Sequence, residues 1–248
     1  MHHLKISVIT VSYNAAGTIR RCIGSVISQD YPCIEYIIID GGSTDGTLDV
    51  IEAYKGNITT IVSEPDNGIY DAMNKGISLA TGDIIGMLNA DDFYAGENIL
   101  SQIASVFTQT GTDALYGDLD YIDHSGNIIR KWRSGQYKPG RFNYGWMPPH
   151  PTFYCKKKLY DVLNTYSLKY GTAADYELML RFIHVNQSSI YYLQKVLIKM
   201  TAGGVSNNGL IGRFKSLYFD FKAMQNNKIS LPVIALLLKP ISKLRQFF

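Results

Sequence analysis

Cysteine is scarce in this chain. Cys22, Cys33 and Cys155 are the three present among 248 residues. They are odd in number and far apart, which excludes a disulfide framework and a cysteine zinc site and suits a reducing compartment. No apolar run approaches the roughly 20 residues that span a bilayer; the run Leu231–Leu238 falls far short. No Gly-x-Gly-x-x-Gly follows the first strand pattern, and the segment Gly41–Thr47 lacks a Gly-Lys-Ser/Thr ending. A dinucleotide fingerprint and a phosphate-cradling P-loop are therefore both excluded. Internal repeats and low-complexity stretches are absent. Met1–Lys5 leads directly into a strand pattern, so a cytoplasmic protein without a secretory signal is expected. Excess charge is slight, at +3 overall, but uneven. Leu210–Phe248 holds seven basic residues against Asp220, a net +6, leaving 17 bases and 20 acids elsewhere, a net −3. A basic tail on a slightly acidic body implies an anionic partner for the tail, with no sign of nucleic-acid binding.

What is present is an ordinary globular composition, 46% hydrophobic and 18% charged, long enough for one large domain with an appendage. Strand and helix patterns alternate through the first half. Strands are predicted at Lys5–Ser12, Tyr36–Asp40, Thr59–Ser63 and Ile84–Leu88, and helices at Thr18–Gln29, Thr47–Tyr54, Ile69–Ala80 and Asn98–Thr108. A further strand starts at Ala114–Tyr116. This βαβα order predicts an α/β fold with a mostly parallel sheet flanked by helices. Ligands in such sheets bind beyond the carboxyl ends of the strands, and there the polar residues gather: Ser12-Tyr13-Asn14, Asp40–Thr47, Ser63–Gly68 and Asp91-Asp92. Beyond Asp118 a hairpin is expected from Asp120–Ile122 and Ile128–Trp132, then a long loop from Ser134 to Pro151. A strand at Thr152–Cys155, helices at Lys157–Leu163 and Ala174–Val185, and closing strands at Ile190–Leu193 and Leu197–Met200 follow. A loop at Gly203–Gly209 precedes a helix at Leu210–Asn226.

The most informative run is Leu88-Asn89-Ala90-Asp91-Asp92-Phe93. Two adjacent carboxylates after a buried strand repel each other unless something positive stands beside them. A divalent cation sharing its oxygen ligands with a phosphate is the natural partner; a helix N-cap is the simpler alternative. Asp40 ends an apolar strand, where it either accepts from the N–H edge of a base such as uracil or organises the turn after it.

Taken together, Val11–Asn14, Ile39–Thr47, Asn67–Gly76 and Leu88–Asp92 resemble, in content and order, glycosyltransferase family 2. The resemblance implies a GT-A fold, with a nucleotide-sugar half at 1–118, a smaller acceptor-side half at 119–209, and a basic amphipathic helical tail at 210–248. It implies an inverting transfer of one hexose or N-acetylhexosamine from a nucleotide sugar, expected to be a UDP-sugar, with Mn²⁺ or Mg²⁺ as cofactor. The backbones of Thr10 or Val11, together with Asn14 and Asp40, would line the nucleotide site. Asp91 would face the ribose or diphosphate, and Lys75 would add positive charge. Asp92 matches the metal-binding aspartate of the Asp-x-Asp motif. Asp175, opening an amphipathic helix, matches the catalytic base, with Glu177 second. In Met147–Phe153, which also resembles the family, His150 would touch the diphosphate, the metal or the acceptor. Trp132, Tyr144 and Trp146 are open as sugar-stacking rings or as packing.

There are departures. Gly41 stands where many members carry a second aspartate, Asn89 replaces the first acid of the metal motif, and Met73 sits where arginine is common. The Gln-x-x-Arg-Trp signature of processive synthases is absent, which favours single-sugar addition. The expected acceptor is a lipid-linked oligosaccharide for a bacterial surface polysaccharide. The tail would hold the enzyme peripherally on the inner face of the cell membrane, or pack on the body or on a second copy in a homodimer; its loss is expected to spare activity on a soluble acceptor. The alternatives are a pyrophosphorylase-like or a non-catalytic sugar-nucleotide-binding protein.

Overall fold

The structure is a computed structural model that describes residues 3–202, 209–244 and 246; the expected Gly203–Gly209 loop lies, but for its last residue, outside them. Strands β1 (Ile6–Ser12), β2 (Ile34–Asp40), β3 (Thr60–Ser63) and β4 (Ile84–Asn89) run parallel in the order β3-β2-β1-β4. Every residue of β1 is buried, its three hydroxyl side chains included: Ser7 bonds Glu35, Thr10 lies against Tyr36 and Ser12 bonds Asp40. Its side chains still divide by period two. Ile9 and Val11 face the core under helix α3 (Ile69–Leu79), whereas Ile6 and Val8 face the one under α1 (Ile19–Ile27). Gly76 of α3 rides close to the sheet: a Cβ there would stand 2.4 Å from Ile9 Cγ2. Helix α2 (Thr47–Glu52) connects β2 to β3.

The sheet then changes direction. After β4 come β8 (Tyr154–Lys156), β6 (Ala114–Ile122), β9 (Ile190–Thr201) and β5 (Asp92–Tyr94), with β7 (Ile128–Trp132) paired to β6. β8 is antiparallel to both β4 and β6, while β9 runs parallel to β6. β5 lies at the far end of this order, against β9, yet only Ala90 and Asp91 separate it from β4. Two residues reach about 7 Å, so the sheet must curl to bring that end back beside β4. Asp91 sits at the closure.

Helices α4 (Ile99–Thr110), α5 (Lys157–Leu163) and α6 (Ala174–Met179) complete the body, and α7 (Gly209–Asn226) and α8 (Pro232–Leu244) follow β9. Several predicted boundaries shift. The two closing strands are one twelve-residue strand, β9. The helix expected over Ala174–Val185 becomes a π-helical turn from Leu180. β5 replaces the helix cap weighed for Asp91-Asp92; three residues are too few for a periodic signal.

Candidate active site

The β1 and β2 ends are tied together by side chains. Asn14, at φ 47°, accepts from Thr44 N through Oδ1 at 3.0 Å and donates its own N–H to Ser43 Oγ at 2.8 Å. Asp40 is 0% exposed and accepts from Ser12 Oγ, Ser43 Oγ, Ser43 N, Gly42 N and Ser63 Oγ at 2.5–3.1 Å. Burial alone would raise its pKa, but the bonds from Ser43, Ser63 and Ser12 outweigh it and hold the carboxyl below its usual range. With both oxygens engaged inside the protein, Asp40 organises the turn, the alternative to reading a base. Thr10 and Val11 also move inward relative to expectation. Their backbones are paired between β2 and β4, the Val11 carbonyl accepts from Ala90 N at 3.2 Å, and the Thr10 hydroxyl lies 3.2 Å from Tyr36 OH in the core. The residue standing out at this rim is Tyr13, 67% exposed.

The two adjacent aspartates separate. Asp92 is 0% exposed; its Oδ1 has no hydrogen-bond partner among the described residues and its Oδ2 has only Asn89 Nδ2, at 3.4 Å. Burial, then the charge of Asp91, push its pKa well above the carboxylate range, against weaker pulls from Asn89 and Arg21. The carboxylate expected to hold the cation is thus turned into the protein, away from the rim. The acid that reaches the rim is Asp91. Its pKa is raised by burial but pulled down by its own backbone N–H, by His150 and by Arg21. Arg21, not singled out from the sequence, donates to Thr201 Oγ1 at 2.5 Å, and that hydroxyl donates to the Asp91 carbonyl at 3.2 Å.

Opposite Asp91 stands the start of α6. His150 opens a short 3₁₀ turn in the Ser134–Pro151 region, and its Nδ1 lies 3.3 Å from Asp175 Oδ2. Asp175 Oδ1 accepts from Tyr176 N at 2.8 Å. Tyr70, at the head of α3, donates to the Thr172 carbonyl at 3.4 Å. Burial, then the Asp175 charge, lift its hydroxyl well above the usual phenol range. Asp91, His150, Asp175 and Tyr70 thus form one constellation drawn from the β4–β5 junction, the 3₁₀ turn, α6 and α3. Tyr70 lies inside a motif already noted, but nothing in its spacing marks it as catalytic.

Other candidates lie apart. Lys75 bonds the Pro65 carbonyl at 3.0 Å and pairs with Glu64 at 2.8 Å, which fastens α3 to the β3–α3 loop rather than adding charge at Asp91. Met73 is buried in the core. Glu177 is held bidentately by Arg181 at 2.9–3.0 Å, and the same guanidinium caps the Leu163, Asn164 and Thr165 carbonyls. Trp146 is packed among Tyr116, Tyr137 and Phe142, its Nε1 donating to the Ser134 carbonyl at 2.9 Å.

Among the described residues no group of three or more His, Cys, Asp or Glu is placed to hold a metal ion. This still fits a Mg²⁺ or Mn²⁺ ion, because such ions commonly rest on one or two carboxylates plus substrate phosphates and water rather than on an all-protein cage. Asp91 is the carboxylate available.

Residues 7–168 match the family model described as Glycosyl transferase family 2. The chain belongs to that family. It is 30% identical over 206 residues to a PGL/p-HBAD biosynthesis glycosyltransferase of Mycobacterium tuberculosis, covering 81% of this chain and 78% of the relative. In fold it is similar to S. aureus TarS, with TM-score 0.71, 20% identity and 90% of this chain covered, although it spans only 39% of that protein. A TarS 1–349 structure in complex with UDP-GlcNAc aligns at TM-score 0.64 and 15% identity, over 99% of this chain and 93% of the other. The mannosyltransferase PcManGT from Pyrobaculum calidifontis, in complex with GDP-Man and Mn²⁺, aligns at 0.70 and 16%, over 97% and 73%. The chain is thus a glycosyltransferase with the GT-A fold, and the pyrophosphorylase alternative falls away.

Proposed function

We propose that this glycosyltransferase moves one hexose or N-acetylhexosamine from a UDP-sugar to a lipid-linked oligosaccharide, with inversion. The observation that carries this reading is His150, whose Nδ1 lies 3.3 Å from Asp175 Oδ2 at the start of α6 and whose charge lowers the pKa of Asp91 at the β4–β5 junction, so that one imidazole acts on both carboxylates. Inversion needs a base opposite the leaving group, to take the proton of the acceptor hydroxyl as it attacks the anomeric carbon. Asp175 Oδ2 is that base, with His150 fixing its orientation. Asp91 takes the diphosphate side, where it would help hold a Mn²⁺ or Mg²⁺ ion, which would supply positive charge to the departing nucleotide. The neighbours solved with UDP-GlcNAc and with GDP-Man and Mn²⁺ support a nucleotide-sugar donor and a divalent cation.

The acceptor reading rests on the C-terminal helices. No helix among the described residues is long and apolar enough to cross a membrane. On α7, Phe214, Leu217 and Tyr218 are exposed, and around α8 so are Leu231, Val233, Ile234 and Leu237. An apolar face flanked by lysines suits a peripheral position on an anionic membrane, which for a bacterial polysaccharide enzyme is the inner face. The testing experiment is turnover of a panel of UDP-, GDP- and dTDP-sugars with Mn²⁺ on a lipid-linked acceptor, reading the released nucleotide and the anomeric configuration. A retained configuration, or binding without turnover, would sink the proposal.

A further inference from the structure

Resting on the base role proposed for Asp175, we infer that Tyr70 and Asn74 are positioning residues that fix this carboxylate from helix α3. Both belong to the Asn67–Gly76 motif, and nothing in the chemistry assigned so far uses Asn74. Four residues apart, they stand one turn from each other on the same face of the helix. The helix is a firm support. Ala72, Met73, Gly76 and Ile77 are buried against the sheet, and the close approach of Gly76 to Ile9 leaves little room for α3 to shift.

Asp175 needs such a support, because the chain leading to it is irregular. Leu168–Ala173 is a 3₁₀ turn broken at Gly171, whose φ of 46° and ψ of −124° are not helical. Asn74 holds the start of this stretch. Its Nδ2 donates to the Tyr166 carbonyl at 2.9 Å, and its Oδ1 accepts from Tyr166 N at 2.9 Å. Both backbone groups of one residue are thus bound to a single side-chain amide 92 residues away in sequence. Tyr70 holds the end of the stretch. Its hydroxyl donates to the Thr172 carbonyl at 3.4 Å, and its ring centroid lies 5.4 Å from that of Tyr166. Helix α7 closes the opposite side: Asn226 Nδ2 donates to the Tyr170 hydroxyl at 3.0 Å, and a Cβ on Gly171 would stand 2.5 Å from the Phe219 ring.

The hydroxyl of Tyr70 also feels the carboxylate. After burial, the Asp175 charge is the largest cause that keeps its proton on. Over the working range the phenol is therefore a hydrogen-bond donor beside a group that only accepts. His150 meets Asp175 Oδ2, and Tyr176 N meets Oδ1. Tyr70 adds a hold from the parallel half of the sheet, since α3 follows β3. A general base acts only when its oxygen is aimed at the acceptor proton, and a misplacement of about 1 Å can cost about 10²-fold. Packing against the core accounts for the Tyr70 ring but not for its hydroxyl.

The test is a double-mutant cycle on the full chain. Turnover is read as UDP released from UDP-glucose and UDP-GlcNAc with Mn²⁺ and a lipid-linked acceptor, and binding as the Kd of UDP. Tyr70→Phe keeps the ring and its packing and removes the hydroxyl alone. Its kcat should fall about tenfold, with the Kd of UDP within about twofold of the wild type. Asn74→Ala, which frees Tyr166 from α3, should lose kcat by about as much. In the Asp175→Asn background no base is left to orient, so each substitution should change kcat by less than about twofold. A wild-type kcat in Tyr70→Phe overturns the assignment, because the hydroxyl then serves nothing. So does an equal loss from both substitutions with and without Asp175, the mark of a general loosening of the fold. In either case the base role of Asp175 still stands. If Asp175→Asn alone keeps the wild-type kcat, the base reading falls, and this assignment with it.

Discussion

His150 Nδ1 lies 3.3 Å from Asp175 Oδ2, and the same imidazole draws down the pKa of Asp91. One side chain thus touches the proposed base and faces the proposed diphosphate side. Asp175→Asn should keep the shape and lose the proton acceptor. Its kcat is expected to fall by about 10²–10⁴ while UDP binding changes by less than twofold. His150→Ala removes the imidazole that stands 3.3 Å from the proposed base and positions it, so an intermediate loss of about 10–100-fold in kcat is expected. Steady-state kinetics beside calorimetric binding separates these outcomes. Equal losses in binding and turnover would contradict the division of labour.

Asp91 and Asp92 are neighbours in sequence but should behave oppositely. Asp91→Asn is expected to weaken cation-dependent binding of UDP tenfold or more, about 1.4 kcal/mol, and chelation should abolish turnover of the wild type. Asp92→Asn should leave cation-dependent binding intact and stabilise the fold. The sign follows from burial. The folded-state pKa of Asp92 lies above its unfolded value, so stability falls as pH rises from about 4 until the folded pKa is passed. Asparagine removes that penalty and offers an N–H₂ to Asn89 Oδ1, which has no partner. The gain should be present at pH 7–8 and vanish below about pH 4, at about 2–4 °C in Tm for each kcal/mol. A Tm lowered at pH 7 would show that Asp92 is held as an anion.

Much of this architecture was legible in the sequence, for a physical reason. The parallel strands β1, β2 and β4 are buried on both faces, so their apolar runs announce them, and turn-forming residues mark their ends. Asp175 and His150 were legible only through resemblance, since their meeting depends on a loop and a helix 25 residues apart. The exchange between Asp91 and Asp92 was not legible at all. Either aspartate satisfies the motif, and only the short strand β5, which turns Asp92 inward against β9, decides between them.

Lys239 joins the tail to the catalytic body. Its ammonium stands 3.8 Å from the Tyr176 ring centroid and 2.7 Å from Asp220 Oδ1, with both charged side chains largely buried. Gly145 permits the approach of α8, since a Cβ there would stand 2.5 Å from Lys239 N. The tail therefore braces the residue next to Asp175, and the expectation that its removal spares catalysis is revised. Lys239→Ala leaves Asp220 buried without this partner and is expected to cost about 3 kcal/mol, seen as a lowered urea midpoint. Deleting residues 230–248 should reduce activity even on a soluble acceptor analogue.

The outward side of the same helix should separate from its inward side. Val233 and Leu237 are 58% and 64% exposed, whereas Ala235 between them is fully buried. The double substitution Val233→Asp with Leu237→Asp places charge on the exposed face without touching the contact at Gly145. Turnover of a water-soluble acceptor should stay within twofold of the wild type. Partition onto vesicles containing anionic phospholipid should fall about tenfold or more, since each apolar side chain withdrawn from an interface forfeits roughly 1.5 kcal/mol or more. Raising the salt concentration should weaken the wild type's partition in parallel, because lysines near the surface act through a screened field. Were the face instead covered by a second copy of the chain, the double variant would shift the sedimentation coefficient from dimer to monomer, and vesicle binding would be weak from the outset.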